Sequence, residues 1–191
     1  PGDPSIFDTV QFFDFSSDPA EIGISSRHFD FGDGTSADGC CPTHRYAADG
    51  NYTVTDTVAT PDGRSASQTQ TVSVRTHDVT IAKLTVPQSG SAGQTRSITV
   101  GVTDARYPET VAVELQRSAP GGDFVTVGTL TQDVPLRSLN RTTSFAFTYT
   151  FRSEDATVGK VTFKAVATIA GARDALPGDN VAIALPTKVG R

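Results

Sequence analysis

Phe29 to Gly63 is the stretch that decides the fold of the first half of the chain. It contains four pieces in order: Phe29-Asp30-Phe31-Gly32-Asp33-Gly34-Thr35, Pro42-Thr43-His44-Arg45-Tyr46, Gly50-Asn51-Tyr52-Thr53-Val54 and Asp62-Gly63. Alternating apolar residues followed by glycine and aspartate are typical of a strand that ends in a tight turn. The stretch therefore predicts a strand, a glycine-rich corner, a short crossing segment and a second strand.

The order and spacing of these pieces resemble the polycystic kidney disease (PKD) domain, a small immunoglobulin-like sandwich of extracellular and cell-surface proteins. The resemblance covers residues 1–75. It implies a module of a kind that usually holds things apart or together and rarely catalyses. It also implies structural roles for Phe29, Asp30, Phe31, Gly32, Asp33, Gly34, His44, Tyr46, Gly50, Tyr52 and Val54.

Strand signals continue through the second half, whereas helix signals are nearly absent. The strands predicted in the first half are Ile6–Phe15, Ile24–Phe31, Tyr52–Ala59 and Ser67–Arg75. Those predicted in the second half are Val79–Val86, Ser97–Thr103, Val111–Gln116, Phe124–Leu130, Ser144–Phe151, Val161–Ile169 and Val181–Leu185. Short strands with regularly spaced turns predict a second immunoglobulin-like sandwich. Along Ile6–Phe15 the aromatic residues change face, and we expect a bulge or a change of sheet that buries both Phe13 and Phe15.

Three pieces of the second half resemble the CARDB module, a bacterial cell-adhesion-related domain, over about 78–187. They are Leu84-Thr85-Val86-Pro87, Ile98-Thr99-Val100-Gly101-Val102 after a turn at Gly93, and Pro177-Gly178-Asp179-Asn180. We therefore expect an all-β chain of two tandem immunoglobulin-like β-sandwiches. The first is PKD-like over 1–75, the second is CARDB-like over 78–191, and a short linker joins them.

Composition narrows the range of partners. The chain has 191 residues and a net charge of −5, and it has no basic patch interleaved with aromatic residues, so we expect no nucleic-acid partner. No apolar run approaches the ~20 residues of a membrane span, which predicts no membrane insertion of this segment. The chain contains no methionine and starts at Pro1, and we expect it to be a piece or a processed product of a longer protein.

The two cysteines, Cys40 and Cys41, are adjacent in the sequence. Ordinary disulfides need Cα atoms ~4.4–6.8 Å apart, whereas sequential Cα atoms lie ~3.8 Å apart. Three interpretations stay open: two free thiols, a rare disulfide between neighbours, or bridges to another chain. No second cysteine or histidine pair completes a four-ligand zinc set.

Four aspartates are calcium candidates, although a structural role is favoured for them. Asp30 and Asp33 flank Phe31-Gly32, and Asp14 and Asp18 lie near the start of the chain. Hard cations take several carboxylate and carbonyl oxygens. The favoured alternative is that the carboxylates accept hydrogen bonds from nearby backbone amides in turns. We expect no cofactor, with calcium as the minority alternative.

Two charged residues lie where the predicted strands should face the interior. Arg27 shares a face with Phe29 and Phe31, and Asp56 shares a face with Tyr52 and Val54. An antiparallel pairing that places Phe31 opposite Tyr52 also places Arg27 opposite Asp56. This register predicts a partly buried ion pair between Arg27 and Asp56.

Three functions are compatible with these features of the sequence. The first is a non-enzymatic extracellular adhesion or spacer module of a cell-surface or secreted protein, with other protein domains as partners. The second is a structural subunit of an extracellular assembly (a filament, a surface layer or a virion decoration) in which free edge strands pair between copies. The third is the accessory region of a secreted hydrolase that binds polysaccharide or protein. No motif for a nucleophile or a metal cluster stands out, so we expect no enzyme and no catalytic residues.

Overall fold

The computed structural model describes residues 2–104, 106–136 and 142–191. The chain divides into two compact units, Pro1–Thr76 (unit 1) and His77–Arg191 (unit 2). Both units are built from β-strands arranged in several sheets, and the predicted all-β fold class is confirmed.

Unit 1 consists of one large sheet and one small sheet. Its strands are β1 (Val10–Gln11), β2 (Ser26–Asp30), β3 (Ser36–Asp38), β4 (Thr43–His44), β5 (Gly50–Ala59) and β6 (Ser65–Val74). The large sheet has the antiparallel order β3-β2-β5-β6, and β1 pairs with β4 in the small sheet. Two-residue strands span ~7 Å, whereas the ten-residue strands β5 and β6 span ~33 Å. The small sheet therefore covers only part of the inner face of the large sheet.

Aromatic residues of the quoted stretch form the core of unit 1. The buried apolar residues are Phe29, Phe31, Tyr46, Val54 and Val74. The His44 ring stacks on Phe31 with centroids 4.2 Å apart. The Tyr46 hydroxyl donates to the Phe31 carbonyl over 3.1 Å, and burial raises the pKa of Tyr46 to about 12. The phenol therefore keeps its proton and its donor role throughout the physiological pH range.

The glycine-rich corner brings two strands into close approach. Gly32 has a φ of +79°, and a Cβ placed there would lie 2.5 Å from the carbonyl oxygen of Thr53 in β5. Asp30 Oδ1 accepts the Gly32 N–H over 2.8 Å. Asp33 accepts from the Thr35 N–H over 3.0 Å and contacts His44 Nε2 at 2.7 Å. Both aspartates thus take part in the turn itself.

The pairing of β2 with β5 corrects the predicted register. Phe29 faces Asp56, and Arg27 faces Val58, which is two residues away from the predicted alignment. Arg27 forms its ion pair with Asp14, since Arg27 Nε lies 2.5 Å from Asp14 Oδ2. The predicted ion pair between Arg27 and Asp56 is therefore wrong, because the guanidinium pairs with Asp14, a residue outside the β2–β5 ladder.

Unit 2 contains ten strands and one short helix among the residues that the structure describes. The strands are β7 (Val79–Thr85), β8 (Ser89–Ser91), β9 (Thr95–Asp104), β10 (Glu109–Ser118), β11 (Phe124–Val134), β12 (Thr143–Thr150), β13 (Lys160–Val161), β14 (Phe163–Ile169), β15 (Val181–Ile183) and β16 (Thr187–Gly190). The sheets have the orders β11-β10-β14-β15, β12-β9-β7 and β13-β16-β8, and β16 runs parallel to β8. The buried residues Val100 and Val102 of one sheet and Val113 and Leu115 of another belong to a single core.

The helix α1 (Ser153–Val158) was not predicted. Its third residue, Asp155, accepts the Arg152 N–H over 2.8 Å, and Gly159 ends the helix with a φ of 78°. Asp155 is 3% exposed and also accepts from the Tyr149 hydroxyl over 2.7 Å. The Arg117 guanidinium, 4% exposed, lies 3.4 Å from the same carboxylate. A buried polar network thus attaches the helix to the sheets.

The close approach at the glycine-rich corner gives a direct test. Gly32 and Gly34 both have positive φ, but only the Gly32 Cβ would meet the Thr53 backbone, since nothing lies within 4 Å of a Gly34 Cβ. We expect Gly34→Ala to lower the free energy of unfolding of unit 1 by ~1 kcal/mol. Gly32→Ala should cost ~2 kcal/mol more because backbone must move. Urea unfolding followed by near-ultraviolet circular dichroism of the tyrosines measures both, and equal losses would contradict the role of this contact.

Candidate functional site

A groove opens on the inner face of the large sheet of unit 1, where the small sheet ends. It has a volume of about 700 Å³ and lies between residues 10–16 and strands β5 and β6. Gln68 and Gln70 of β6 face Asp56 and Val54 of β5 across the ladder, so all four side chains lie on this inner face. Both glutamines are exposed, and all four residues line the groove. The groove therefore combines polar and apolar contacts on a rigid sheet.

Aromatic side chains form the opposite wall of the groove. Phe12 packs inward, with its ring centroid 5.3 Å from that of Phe31. Phe13 and Phe15 stack on each other at 6.1 Å and remain 59% and 90% exposed. The expectation that both would be buried is wrong, because β1 ends at Gln11 and no bulge or sheet change turns them inward. Two stacked exposed rings beside a groove are typical of a binding surface.

Charged residues lie at the base of the groove. The Asp14 side chain is 1% exposed, and its Oδ1 accepts the Ser16 N–H over 2.7 Å. Burial opposes ionisation of Asp14, but hydrogen bonds from Ser16 and Arg27 hold its pKa below the usual value. Burial and the Asp14 charge raise the pKa of Asp56, and Asp56 Oδ1 is buried without a partner. Asp56 is therefore the acceptor in this groove that a bound donor would satisfy.

The four calcium candidates from the sequence accept hydrogen bonds from the protein itself. Asp18 shows this most fully, because it accepts from Arg64 at 2.8 Å and from the N–H groups of Ala20, Ile22 and Gly23. The hydrogen bond from Arg64 is the main cause that lowers the pKa of Asp18. In the described part of the chain, Asp14, Asp18, Asp30 and Asp33 do not form a group with metal-ligand spacing.

A different group of carboxylates has that spacing, and it lies in unit 2. One carboxylate oxygen from each of Asp78, Asp174 and Asp179, which we call the aspartate cluster, lies within 4.8 Å of the other two. Burial raises the pKa of Asp78 to about 6, with contributions from the charges of Asp179, Asp174 and Asp104. Sequence reasoning missed the cluster, although Asp179 belongs to the quoted Pro177-Gly178-Asp179-Asn180 piece.

Cys40 and Cys41 are both exposed and free in the structure. Their Sγ atoms lie 2.7 Å apart, and the hydrogen bond with Cys40 raises the pKa of the Cys41 thiol. The structure thus shows two thiols and no disulfide between these neighbours. A bridge to another chain stays a prediction.

Comparison with known families agrees with this architecture. Residues 5–76 match the family model of the PKD domain. Unit 1 is a PKD domain. The PKD resemblance predicted from Phe29–Gly63 is thereby confirmed, and the groove described above belongs to the PKD domain. No match was found among curated protein sequences.

Three solved structures are similar to this chain at 15–16% sequence identity. The CARDB domain of the PF1109 protein from Pyrococcus furiosus, solved with di-metal ions, is 15% identical, with a TM-score of 0.45 over 60% of this chain and 89% of that one. A carbohydrate-binding module of the β-sandwich superfamily is 16% identical, with a TM-score of 0.38 over 97% of this chain and 95% of that one. A superoxide reductase from Ignicoccus hospitalis is 16% identical, with a TM-score of 0.36 over 60% and 81%. At these values no ligand or activity of those proteins carries over to this chain.

None of the helices in the described ranges is long and apolar enough to cross a membrane.

The raised pKa of Asp56 predicts how stability depends on pH. Ionised Asp56 destabilises the folded PKD domain above its folded pKa, and this penalty disappears below the unfolded value of ~3.9. We expect Asp56→Asn to increase the free energy of unfolding at pH 7, with the gain vanishing below about pH 4. Urea unfolding over this pH range measures the difference.

Asp62→Asn is the matched control, because we expect it to change the free energy of unfolding at pH 7 in the opposite direction. A hydrogen bond from Arg64 is the main cause that lowers the pKa of Asp62, which lies in the exposed β5–β6 turn. Its replacement should destabilise the domain at pH 7, and this loss should shrink as the pH falls below the unfolded value of ~3.9 and vanish only below the lower folded pKa. If both variants change stability in the same direction at pH 7, the electrostatic account of Asp56 is wrong.

Proposed function

We propose that this chain is a non-enzymatic extracellular adhesion module of a cell-surface or secreted protein, and that the groove of the PKD domain is its adhesive surface. The observation that carries the proposal is the pair of exposed, stacked rings of Phe13 and Phe15 beside a groove of about 700 Å³. PKD domains are typical of extracellular and surface proteins, which supports the location. The rigid sheet behind the groove supports a binding role.

The partner that the groove fits best is a protein segment. Phenylalanine rings and the methylenes of Gln68 and Gln70 provide apolar area, while the glutamine amides and Asp56 offer hydrogen bonds to a peptide. The Asp56 oxygen that has no partner would accept an N–H or a hydroxyl from it. Aromatic anchors beside a desolvated polar group are the usual centre of a protein interface.

The carboxylates of the groove support binding in preference to catalysis. Asp14 is occupied by Arg27 and by the Ser16 amide. Besides burial, the charge of Asp14 contributes to the raised pKa of Asp56. A carboxylate held ionised by an arginine, as Asp14 is, does not serve as the proton donor of an acid–base pair.

The groove can be tested by selecting ligands for it. Phage-displayed short peptides are panned on the immobilised chain, and binding of the enriched peptides is measured by calorimetry. Replacing both Phe13 and Phe15 by Ala should weaken binding roughly tenfold or more, because both rings are exposed and lie beside the groove. Folding should be unaffected, since neither ring is buried.

Ile22→Ala is the matched control, because Ile22 is also exposed (51%) but does not line the groove. In parallel, co-sedimentation of the chain with insoluble polysaccharides tests whether it binds sugars. The proposal fails if no peptide is enriched, if the Phe13 and Phe15 variant binds peptides as the wild type does, or if only polysaccharide binds. Accessibility of the parent protein to protease on intact cells tests the extracellular location, and full protection would contradict it.

A second candidate function is self-assembly through β6. This ten-residue strand is the edge of the large sheet, and its sequence from Ser65 to Val74 contains no charged residue and no proline. Natural edge strands are usually protected by charge, proline or a bulge. The exposed edge of β6 therefore favours pairing with β6 of a second copy, which would build a structural assembly.

Sedimentation velocity over a range of concentrations, with and without reductant, separates the two candidates. If β6 pairs between copies, the chain should associate in the presence of reductant, and Thr69→Lys should abolish association, because a lysine on the edge opposes strand addition. Ser17→Lys, which places the same charge on an exposed residue outside β6, should leave association unchanged. A monomer at all concentrations, or association that reductant removes through Cys40 and Cys41, would contradict pairing through β6.

A further inference from the structure

Two separate segments of unit 2 build the aspartate cluster. Asp78 precedes β7, and Asp174 and Asp179 lie on the segment between β14 and β15. The two segments are tied together by hydrogen bonds: Asp174 Oδ2 accepts the Val79 N–H over 3.0 Å, and the Ala175 N–H donates to the His77 carbonyl over 2.8 Å. The carboxylates therefore meet on backbone that the fold itself holds in place.

The orientation of the carboxylates is also set by local contacts. Asp174 Oδ1 accepts the Leu176 N–H over 2.8 Å. Asp179 Oδ2 accepts from the Thr80 hydroxyl over 2.9 Å, and Asp179 lies in a 3₁₀ turn at Pro177–Asp179. A carboxylate oxygen can accept more than one bond, so these contacts fix the groups and leave lone pairs for a further ligand.

Buried oxygens without partners accompany the cluster. Asp78 Oδ1 has no hydrogen-bond partner and is buried from solvent. Asp104 is 1% exposed, and its Oδ2 has no hydrogen-bond partner. In the β7–β9 ladder it pairs with Val79, the residue that follows Asp78 in the sequence. Its charge acts on Asp78, together with those of Asp174 and Asp179. The Arg106 charge opposes this effect, but the pKa of Asp78 remains raised. Carboxylates that lie this close together repel when ionised, and a bound cation removes the repulsion.

Asn180 provides a further buried oxygen that has no hydrogen-bond partner. It is 5% exposed, its Oδ1 has no partner, and it follows Asp179 directly. Asn180 and Asp174 line the same cavity of about 400 Å³. Side-chain amide oxygens and carboxylates are the ligands that hard cations take.

We propose that the aspartate cluster is a calcium-binding site of unit 2, with Asp78, Asp174 and Asp179 as ligands and Asp104 as the buried charge behind them. Two oxygens bound to one Ca²⁺ at ~2.4 Å lie at most ~4.8 Å apart, and the three carboxylates meet this limit. Mg²⁺ needs shorter bonds of ~2.1 Å in strict octahedral geometry, and zinc prefers nitrogen and sulfur. A bound Ca²⁺ would join the segment at Asp174–Asp179 to the start of β7.

Calorimetry on the full chain, freed of metal with EDTA and then titrated with CaCl₂, tests the site. We expect one site with a Kd of ~10⁻⁴–10⁻³ M, the range of extracellular modules. At ~10 mM CaCl₂ the Tm of unit 2 should rise by roughly 5–11 °C in differential scanning calorimetry. The same concentration of MgCl₂ should produce a smaller shift.

Asp78→Asn and Asp179→Asn separate loss of calcium from loss of folding. Each should weaken calcium binding at least about tenfold, because a charged ligand is lost. In EDTA, Asp78→Asn should unfold at the same temperature as the wild type or higher, since it relieves repulsion between carboxylates. Asp123→Asn, an exposed acid in the β10–β11 turn, should leave the calcium response unchanged.

Two results would overturn the calcium site. One is the absence of heat and of any Tm shift in the wild type at ~10 mM CaCl₂, well above the expected Kd. The other is a calcium response that persists in both Asp78→Asn and Asp179→Asn, which would place the ion elsewhere. Neither result bears on the groove of the PKD domain, because the peptide measurements do not require calcium.

Discussion

The close approach of the Gly32 backbone to the Thr53 backbone is the contact on which the PKD domain depends. It lets the chain turn directly from β2 onto the face of β5, so that Phe31 lies against His44 and Tyr46. Any side chain at this position would separate the strand end from the sheet. The small sheet ends after two residue pairs, and the inner face of the large sheet beyond it stays open as the groove.

Most of the strands could be predicted from the sequence, because the alternation of apolar residues that marks a strand is a local pattern. Alternation of apolar residues located the long strands β5, β6, β9 and β12 to within a few residues. The register of β2 and β5 was displaced by two residues, and a shift of two keeps each side chain on the same face. The inner position of Arg27 and Asp56 was therefore predicted correctly, while the partner was not. Asp14 approaches from a segment outside the ladder, where strand periodicity carries no information.

The features that the sequence did not predict depend on contacts between distant residues. The aspartate cluster joins Asp78 to a segment near the other end of unit 2, and no spacing rule relates the two. The helix α1 is too short to show periodicity, and only Asp155 and Gly159 mark its ends. Phe13 and Phe15 were expected in a core, although the small sheet stops before it could bury them. In each case tertiary packing decided the outcome over local preference.

The parallel pairing of β16 with β8 sets the order of events during synthesis. β8 lies near the start of unit 2, and the Thr187 hydroxyl of β16 donates to the Pro87 carbonyl, two residues before β8 begins. Unit 2 therefore cannot close its smallest sheet until the last of these strands has left the ribosome, whereas the PKD domain is complete by Thr76. Because β16 is the middle strand of this sheet, losing the last residues of unit 2 would leave both β13 and β8 without a pairing partner.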